Sequence, residues 1–414
     1  MREITIVGAG QAGLLLGIGL LKKGYRVRLV TSETAKQIAD GGIRSTQGMF
    51  HDALQIEREL GLDLWDDACP AIEALQFAMI APDGKAAIEW VGPLDAPAAS
   101  VDQRVKFPAW MEIFERNGGR LEVRPVGVID MDALASECEL LVIAAGKGDV
   151  GRLFARDDAR SPFDRPQRAL AVCCVKNLRP YDPVRVSFSV IPGAGEFFCI
   201  PGLGREGPCD YLFFEAIPGG PLDRFDGVTA PEERLALMVE LLAAFVPAEF
   251  ARCADVELTD AGATLAGRFT PEVRDPVARL GSGALAFGLA DTVVLNDPIT
   301  GQGSNNATKA AAAYLRAIVE RGTEPFDERW MRATFERHWL EHAAWSTAFT
   351  NAMLQPPPPH VQRYLLEASW RPGLRRTFVN GFNNPPDFFP WLGDPAACEA
   401  KIEAAEGERA SEIA

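Results

Sequence analysis

Ile4-Thr5-Ile6-Val7-Gly8-Ala9-Gly10-Gln11-Ala12-Gly13, close to the start of the chain, decides the fold. The apolar, β-branched run from Ile4 to Val7 reads as the start of a buried strand. It feeds a G-x-G-x-x-G pattern that opens a helix, with Ala12, Leu15, Leu16, Ile18 and Leu21 on its buried side and an end near Lys22-Lys23-Gly24. A second strand, Tyr25 to Val30, follows at once. Each glycine then has a task. Gly8 permits the tight turn, Gly10 lets the backbone approach a pyrophosphate, and Gly13 allows close helix–strand packing. The phosphates meet unpaired N–H groups at the positive helix end, beside Gln11 and Ala12. The six-residue pattern alone is weak, but its strand–turn–helix–strand setting predicts a dinucleotide site over a ligand-free glycine turn. An acidic residue is expected at the end of the second strand to hold the ribose hydroxyls. Thr31 and Ser32 stand there, with Glu33 just beyond. Either Glu33 does that work or the hydroxyls hold the ribose weakly, which suits a dinucleotide that comes and goes.

Composition narrows the class. Among 414 residues, 42 Lys+Arg against 57 Asp+Glu give a formal charge of −15. Binding to nucleic acid or to an anionic membrane surface is not expected from such a balance. Eight cysteines without a C-x-x-C pair read as buried thiols of a reducing compartment, with no disulfide framework and no metal site. No apolar stretch reaches the roughly 18 residues needed to cross a bilayer, and Arg2-Glu3 leads directly into a strand with no signal peptide. A cytoplasmic protein of two domains, or of one elaborated domain, is expected.

Two later segments favour FAD over NAD. Glu139 to Gly148 is a hydrophobic strand ending in Ala144-Ala145-Gly146, after a short helix over Met131–Cys138. Such a strand passes beneath the adenosine half in flavoprotein hydroxylases. Leu285 to Asp291 is another buried strand, followed by Asp297-Pro298-Ile299-Thr300-Gly301-Gln302-Gly303 and a helix from Ser304 through Asn305 to Arg321. This resembles the second FAD fingerprint, with Asp291 on the ribityl chain and the Gly301/Gly303 loop at the pyrimidine edge of the isoalloxazine. Backbone N–H groups at a helix start stabilise the negative charge of a reduced flavin there. Two such elements nearly 300 residues apart imply one discontinuous FAD domain. The expected fold is α/β, a Rossmann-like FAD-binding domain with an inserted β-sheet substrate domain and C-terminal helices. Residues 1–168 form the first FAD part (about 70–100 contributing to the substrate side), 169–275 the substrate sheet, 276–322 the second FAD part and 323–414 the helical region.

In the middle, Val184, Val186, Phe188 and Val190 alternate, Pro192 to Gly195 turns the chain, and Phe197 and Cys199 resume the pattern. Asp210 to Ala216 is another strand, and Glu232 to Cys253 reads as an amphipathic helix. The aromatic faces, with Phe188, Phe197 and Phe213, suit a wall over an apolar substrate, or a layer that only completes the core. Gly202 to Gly207 also matches G-x-G-x-x-G, but prolines bracket it and it reads as a hairpin loop. His338-x-x-Glu341-His342 has zinc-peptidase spacing on a helix studded with aromatics and no third ligand, so no metal is expected. Pro356 to Pro359 ends a helix, and the residues from about Glu403 onward read as a frayed end. No second qualifying Rossmann motif serves NAD(P)H. The Asp-Gly motif of single-component hydroxylases is missing from Ala145-Gly146-Lys147-Gly148, and no tryptophan sits in the W-x-W-x-I-P sequence of flavin-dependent halogenases. The flavin is therefore expected to be reduced elsewhere.

The opening I-V-G-A-G-Q-A-G, the segment Ser161-Pro162-Phe163 through Leu170, the Asp297–Gly303 loop and the Phe382-Asn383-Asn384-Pro385 tail resemble the oxygenase component of two-component styrene and indole monooxygenases, over essentially the whole chain. The resemblance implies a p-hydroxybenzoate hydroxylase-like fold and reduced FAD accepted from a separate NADH-dependent flavin reductase. It also implies a C4a-(hydro)peroxyflavin formed with O2, and epoxidation of an aryl-substituted double bond or oxidation of an aryl sulfide. Arg44-Ser45-Thr46-Gln47-Gly48-Met49, with Ile72 and Ala98, is similar to the indole branch. Indole would be epoxidised at C2–C3, and the product would open to indoxyl and oxidise to indigo. Alternate spacing would put Ser45, Gln47 and Met49 on one side of an extended segment, lining the cavity with Pro298; Met49 as core filling and Gln47 bonded to backbone is the other reading. Arg44 and Arg104 are candidates for contact with FAD, or ordinary ion pairs. Styrene as the native substrate, a reductase of an isoprenoid or lipid double bond, and a non-catalytic FAD carrier are the alternatives; a homodimer is allowed.

Overall fold

A computed structural model describes residues 2–146 and 148–412, with 406–412 described by backbone alone. The strand Glu3–Val7 lies inside a six-stranded sheet. Its order is Val277–Arg279, Leu285–Gly288, Leu140–Ile143, Glu3–Val7, Arg26–Thr31, Arg120–Val123. All neighbours are parallel except the Val277–Arg279 edge. Parallel strands covered on both faces need continuous apolar runs, which Ile4, Ile6, Val7 and Leu140–Ile143 supply. The fingerprint helix Gln11–Lys22 is buried from Gln11 through Leu20, well beyond the one-sided stripe expected. The reason is the long helix Gln302–Arg321 packed on its outer side, where a Cβ on Gly19 would come within 2.5 Å of Leu315.

The second sheet has nine strands. Ile72–Ile80, Ala86–Ser100 and the short Gly48–Met49 join Ala169–Lys176, Arg185–Ile191, Gly195–Gly204 and Gly207–Ala216, with Glu257–Leu258 and Thr264–Gly267 at its far side. Gly202 and Gly204 run within their strand, and only Arg205-Glu206 turns the hairpin. The FAD-type sheet and this one make the mixed α/β, p-hydroxybenzoate hydroxylase-like architecture with a helical C-terminal region.

Strand parity divides the aromatics between two cores. Phe77, Trp90, Phe188, Phe198 and Phe213 face the C-terminal helices and share a cluster with Phe349, Phe378, Phe382 and Phe388. Phe197 and Phe214 point the other way, onto Met238, Leu241 and Leu242 of the helix Pro231–Phe245. Phe197 therefore belongs to the core beneath the sheet, and Phe198, its chain neighbour, takes the place expected of it; successive side chains of a strand alternate faces. The helix expected over Glu232–Cys253 breaks at Val246, because Pro247 lacks an N–H and starts a separate short helix, Pro247–Phe250. The last helix, Pro395–Glu412, continues through the stretch read as frayed; Ile413 and Ala414 lie outside the described residues. Among the described residues no helix is long and apolar enough to cross a membrane.

Phe197→Ala is expected to cost about 3–5 kcal/mol of stability, the range for emptying a buried aromatic site. Urea unfolding of the variant measures it.

Candidate active site

The C-terminal ends of Glu3–Val7, Leu140–Ile143 and Leu285–Gly288 lie side by side, and glycines let the chain cross there. A Cβ on Gly8 would stand 2.5 Å from the Ala144 oxygen, and one on Gly13 would stand 2.0 Å from the Gly8 oxygen. Gly10 differs, since a Cβ built on it meets nothing within 4 Å. Gly8 and Gly13 thus stand at close backbone crossings, and Gly10 faces open space. Gly146 packs directly on Asp291, where a Cβ would be 2.6 Å from the Asp291 Cβ. Asp291 sits on a short turn after the strand, with Ala290 before it at φ 55°. Lys147 lies outside the described residues.

At the end of Arg26–Thr31, Thr31 is buried and Ser32 exposed. Glu33 forms a two-pronged ion pair with Arg44, at 2.7 and 2.5 Å. That hydrogen-bonded guanidinium holds the Glu33 carboxyl below the usual range. Arg104 is placed differently from its expected role. Its side chain is fully buried, with Asp102 on Nε and Nη2 at 2.9 and 2.7 Å and Asp260 on Nη1 at 2.8 Å. Burial opposes its charge, but the two carboxylates outweigh that and hold it above the ordinary arginine value. Its donors are spent on tying the Gly41–Gly42 loop to the Asp260–Gly262 turn, so it is an internal clamp and offers no fork to a phosphate.

Asn305 joins the two halves of the site. Its Nδ2 donates to the Gly48 and Gly301 oxygens, both at 2.8 Å, and its Oδ1 accepts from Phe50 N at 2.9 Å. Pro298–Thr300 forms one short helical turn, Gly301 takes the left-handed conformation at φ 64°, and the helix Gln302–Arg321 starts with no side-chain cap. Gln302 donates to the Phe382 oxygen at 2.8 Å, bringing in the C-terminal region, while Gly303 would carry a Cβ into open space and Ser304 is half-buried.

Ser45, Gln47 and Met49 do not share one side of an extended strand. Ser45 Oγ accepts from Gln47 N at 3.2 Å, and Gln47 takes φ 44°, so the chain turns there. Met49 then packs with Ala53, Leu54 and Ala99, as core. Gln47 points at Gln11 with Nε2–Oε1 3.5 Å, while its own Oε1 is buried without a donor among the described residues. Around them lies a polar cluster the sequence reading missed. Gln11 Nε2 donates to Glu57 at 2.6 Å and Thr308 at 2.8 Å, and Lys106 pairs with Glu57 at 2.7 Å. One signal existed: Glu57 lies four residues after Ala53, on the buried stripe of its helix. Ile72 and Ala98 stand directly opposite each other across their strands, and Gly48 pairs with Ser100 two residues on. Phe188 stacks on Phe198 at 4.6 Å, and Phe213 lies 5.9 Å from Phe198. His338 and His342 have ring centroids 5.8 Å apart, and burial pushes His338 down to about 3. No cluster suited to a metal ion occurs among the described residues.

A dinucleotide fits these residues. Gly10 and Gly303 leave room for close backbone approach, and two uncapped helix starts offer N–H groups to phosphate and flavin. Residues 146–252 match the family described as "Styrene monooxygenase A putative substrate binding domain". Over 398 residues the chain is 31% identical to "Styrene monooxygenase StyA" of Pseudomonas fluorescens, covering 93% of each chain, and equally to the protein of that name from a Pseudomonas sp. The chain belongs to the styrene monooxygenase family. Among solved structures, a flavoprotein/dehydrogenase from Cytophaga hutchinsonii (TM-score 0.68, 15% identity, 99% of both chains) and the flavin-dependent brominase Bmp2 (0.61, 17%, 98% of this chain and 99% of that one) share its fold. The protein is a FAD-dependent monooxygenase of the styrene monooxygenase type, with O2 as co-substrate.

Gly10→Ala is expected to fold normally and to weaken FAD binding at least about tenfold, because its methyl takes the space of the approaching phosphates. Gly13→Ala drives a methyl into the Gly8 carbonyl and should lower the melting temperature as well. Fluorescence titration with FAD and thermal melts separate the two.

Proposed function

We propose that the chain is the oxygenase of a two-component system, taking reduced FAD from an NADH-dependent flavin reductase and epoxidising indole at C2–C3. One observation carries the substrate reading. Segment 44–49, Ile72 and Ala98, the positions whose residues resemble the indole branch, are distant in sequence but meet at one strand end beside the Pro298 turn. The Gln47 Oε1, buried without a donor among the described residues, supports it, since indole brings an N–H and styrene brings none. The names of the relatives favour the second reading, styrene as native substrate.

Reduced FAD, when bound, supplies the oxygen-activating chemistry. The protein's part is positioning and exclusion of water. The helix start at Gln302–Asn305 and the Gly301 turn orient the flavin ring, and Asn305 holds Gly48 and Phe50 against that turn. The aromatic face of Phe188, Phe198 and Phe213 would supply the apolar part of the substrate side. Electron-rich C2–C3 of indole then needs placement at the flavin face and no acid or base to activate it. A reductase partner follows from the absent Asp-Gly motif at 145–148 and from family membership.

The test mixes the protein with an unrelated flavin reductase, NADH, FAD, catalase and indole, N-methylindole or styrene. Indigo should form only with this chain present. Gln47→Leu should cut kcat/KM for indole by about tenfold or more and leave N-methylindole and styrene within about twofold. An equal loss on all three would remove the N–H contact, and styrene turnover without indigo would select the second reading.

A further inference from the structure

Beneath the Pro298 turn lies a group of buried charges that the substrate reading leaves unused. Glu196 and Glu215 stand directly opposite each other on adjacent strands, on the face that carries Phe198 and Phe213. Asp297, the residue before Pro298, meets the Glu215 carboxyl side chain to side chain. All three carboxyls are buried, Glu215 completely. The charged groups facing Glu215 are Glu196 from one neighbouring strand, Arg168 just before the other, and Asp297 from the turn. Arg168 is committed to Glu196, at 2.6 and 2.9 Å. Neither Glu215 oxygen receives an N–H or O–H from any described residue, whereas Asp297 Oδ1 accepts from Ile299 N at 3.2 Å.

Three carboxylates around one guanidinium cannot all stay ionised away from water, least of all with two of them directly opposed across a strand pair. Burial raises the Asp297 and Glu196 carboxyls too, but the Ile299 N–H favours the ionised form of Asp297 and the Arg168 guanidinium that of Glu196. Glu215 has no such donor, and burial, followed by the charge of Asp297, pushes its carboxyl well above the ordinary range. The extra proton therefore belongs on Glu215. We propose that Glu215 is a positioning residue: as a neutral acid it donates an O–H···O hydrogen bond to the Asp297 carboxylate and so pins the Asp297–Gly301 turn, with the flavin-facing helix start, to the substrate sheet. A hydrogen bond to an ionised acceptor is the strong kind. The role holds for any alkene or sulfide oxidised, and so stands apart from the indole reading.

The sign of the pH effect follows. The folded chain keeps a proton that the unfolded chain has already released above the ordinary glutamate range, so this contribution declines as pH rises from that range through the raised one. Glu215→Gln keeps a donor toward Asp297 and removes the titration; Glu215→Leu removes both. In FAD-free protein at neutral pH, infrared spectroscopy should show the carbonyl stretch of a buried protonated carboxyl, shifted in D2O and missing from Glu215→Gln. The urea midpoint of the parent should fall with rising pH more steeply than that of Glu215→Gln, by one bound proton. Affinity for oxidised FAD should weaken about tenfold in Glu215→Leu and be restored to within about twofold in Glu215→Gln. Absence of the band, equal pH slopes, or a glutamine variant as weak as the leucine one would each overturn the proposal. Should Glu215→Leu fail to fold, the band and the slopes decide it.

Discussion

Three hydrogen bonds at one amide, that of Asn305, two donated and one accepted, hold the candidate site together. They reach Gly48, Phe50 and Gly301, which belong to the edge of the substrate sheet, the start of a helix and the turn before the long helix. Asn305 is itself buried on the first turn of that helix, so its geometry is inherited from a rigid element. The long helix packs in turn on the fingerprint helix, which the sheet fixes through Gly8 and Gly13. The two uncapped helix starts therefore belong to one continuously packed unit. The Asp297–Gly303 turn is placed by packing that begins at residue 4.

The interior also carries more charge than an apolar core needs. Arg104 with Asp102, Lys106 with Glu57, and Arg168 with Glu196 are buried pairs, and Arg104 also reaches the half-buried Asp260. Such pairs add little net stability, because desolvation offsets most of their attraction, but removing one partner leaves a stranded charge and costs several kcal/mol. Their placement suggests the use. Arg104 joins loop 41–42 to turn 260–262, Lys106 and Glu57 back the Gly-rich turn through Gln11, and Arg168 lies under the Pro298 turn. Each specifies a relation between segments far apart in sequence, which apolar contacts would define less sharply.

That separation explains what could be read from the sequence. The fingerprint was legible because its constraint is local: a Cβ at Gly13 collides with an atom five residues away. The Asp297–Gly303 turn was legible for the same reason, through Pro298 and the left-handed Gly301. Phe197 was misplaced by one residue of parity. The turn at Pro192–Gly195 resets the alternation, and Phe197 and Phe198 are adjacent aromatics of which only packing selects the inward one. Arg104 was beyond reach, since Asp260 lies 156 positions on. The Ser45–Met49 segment failed because Gln47, a residue with no marked turn preference, adopts positive φ under tertiary constraint.

The adenosine end shows how one ion pair can bear on cofactor traffic. In dinucleotide folds the acid after the second strand holds the ribose hydroxyls. Here Glu33 spends both oxygens on Arg44, and Thr31 beside it is buried. A ribose hydroxyl would have to share the Glu33 oxygens with the two-pronged bond to the Arg44 guanidinium. A dinucleotide at this end would gain less from Glu33 than from an unpaired carboxylate, leaving the helix starts and the Gly301 turn for its phosphates and ring. A light hold on the ribose would suit an oxygenase served by a separate flavin reductase. The same arginine leads straight into Ser45–Met49, so the Glu33 ion pair and the turn at Gln47 are set by one short stretch of chain.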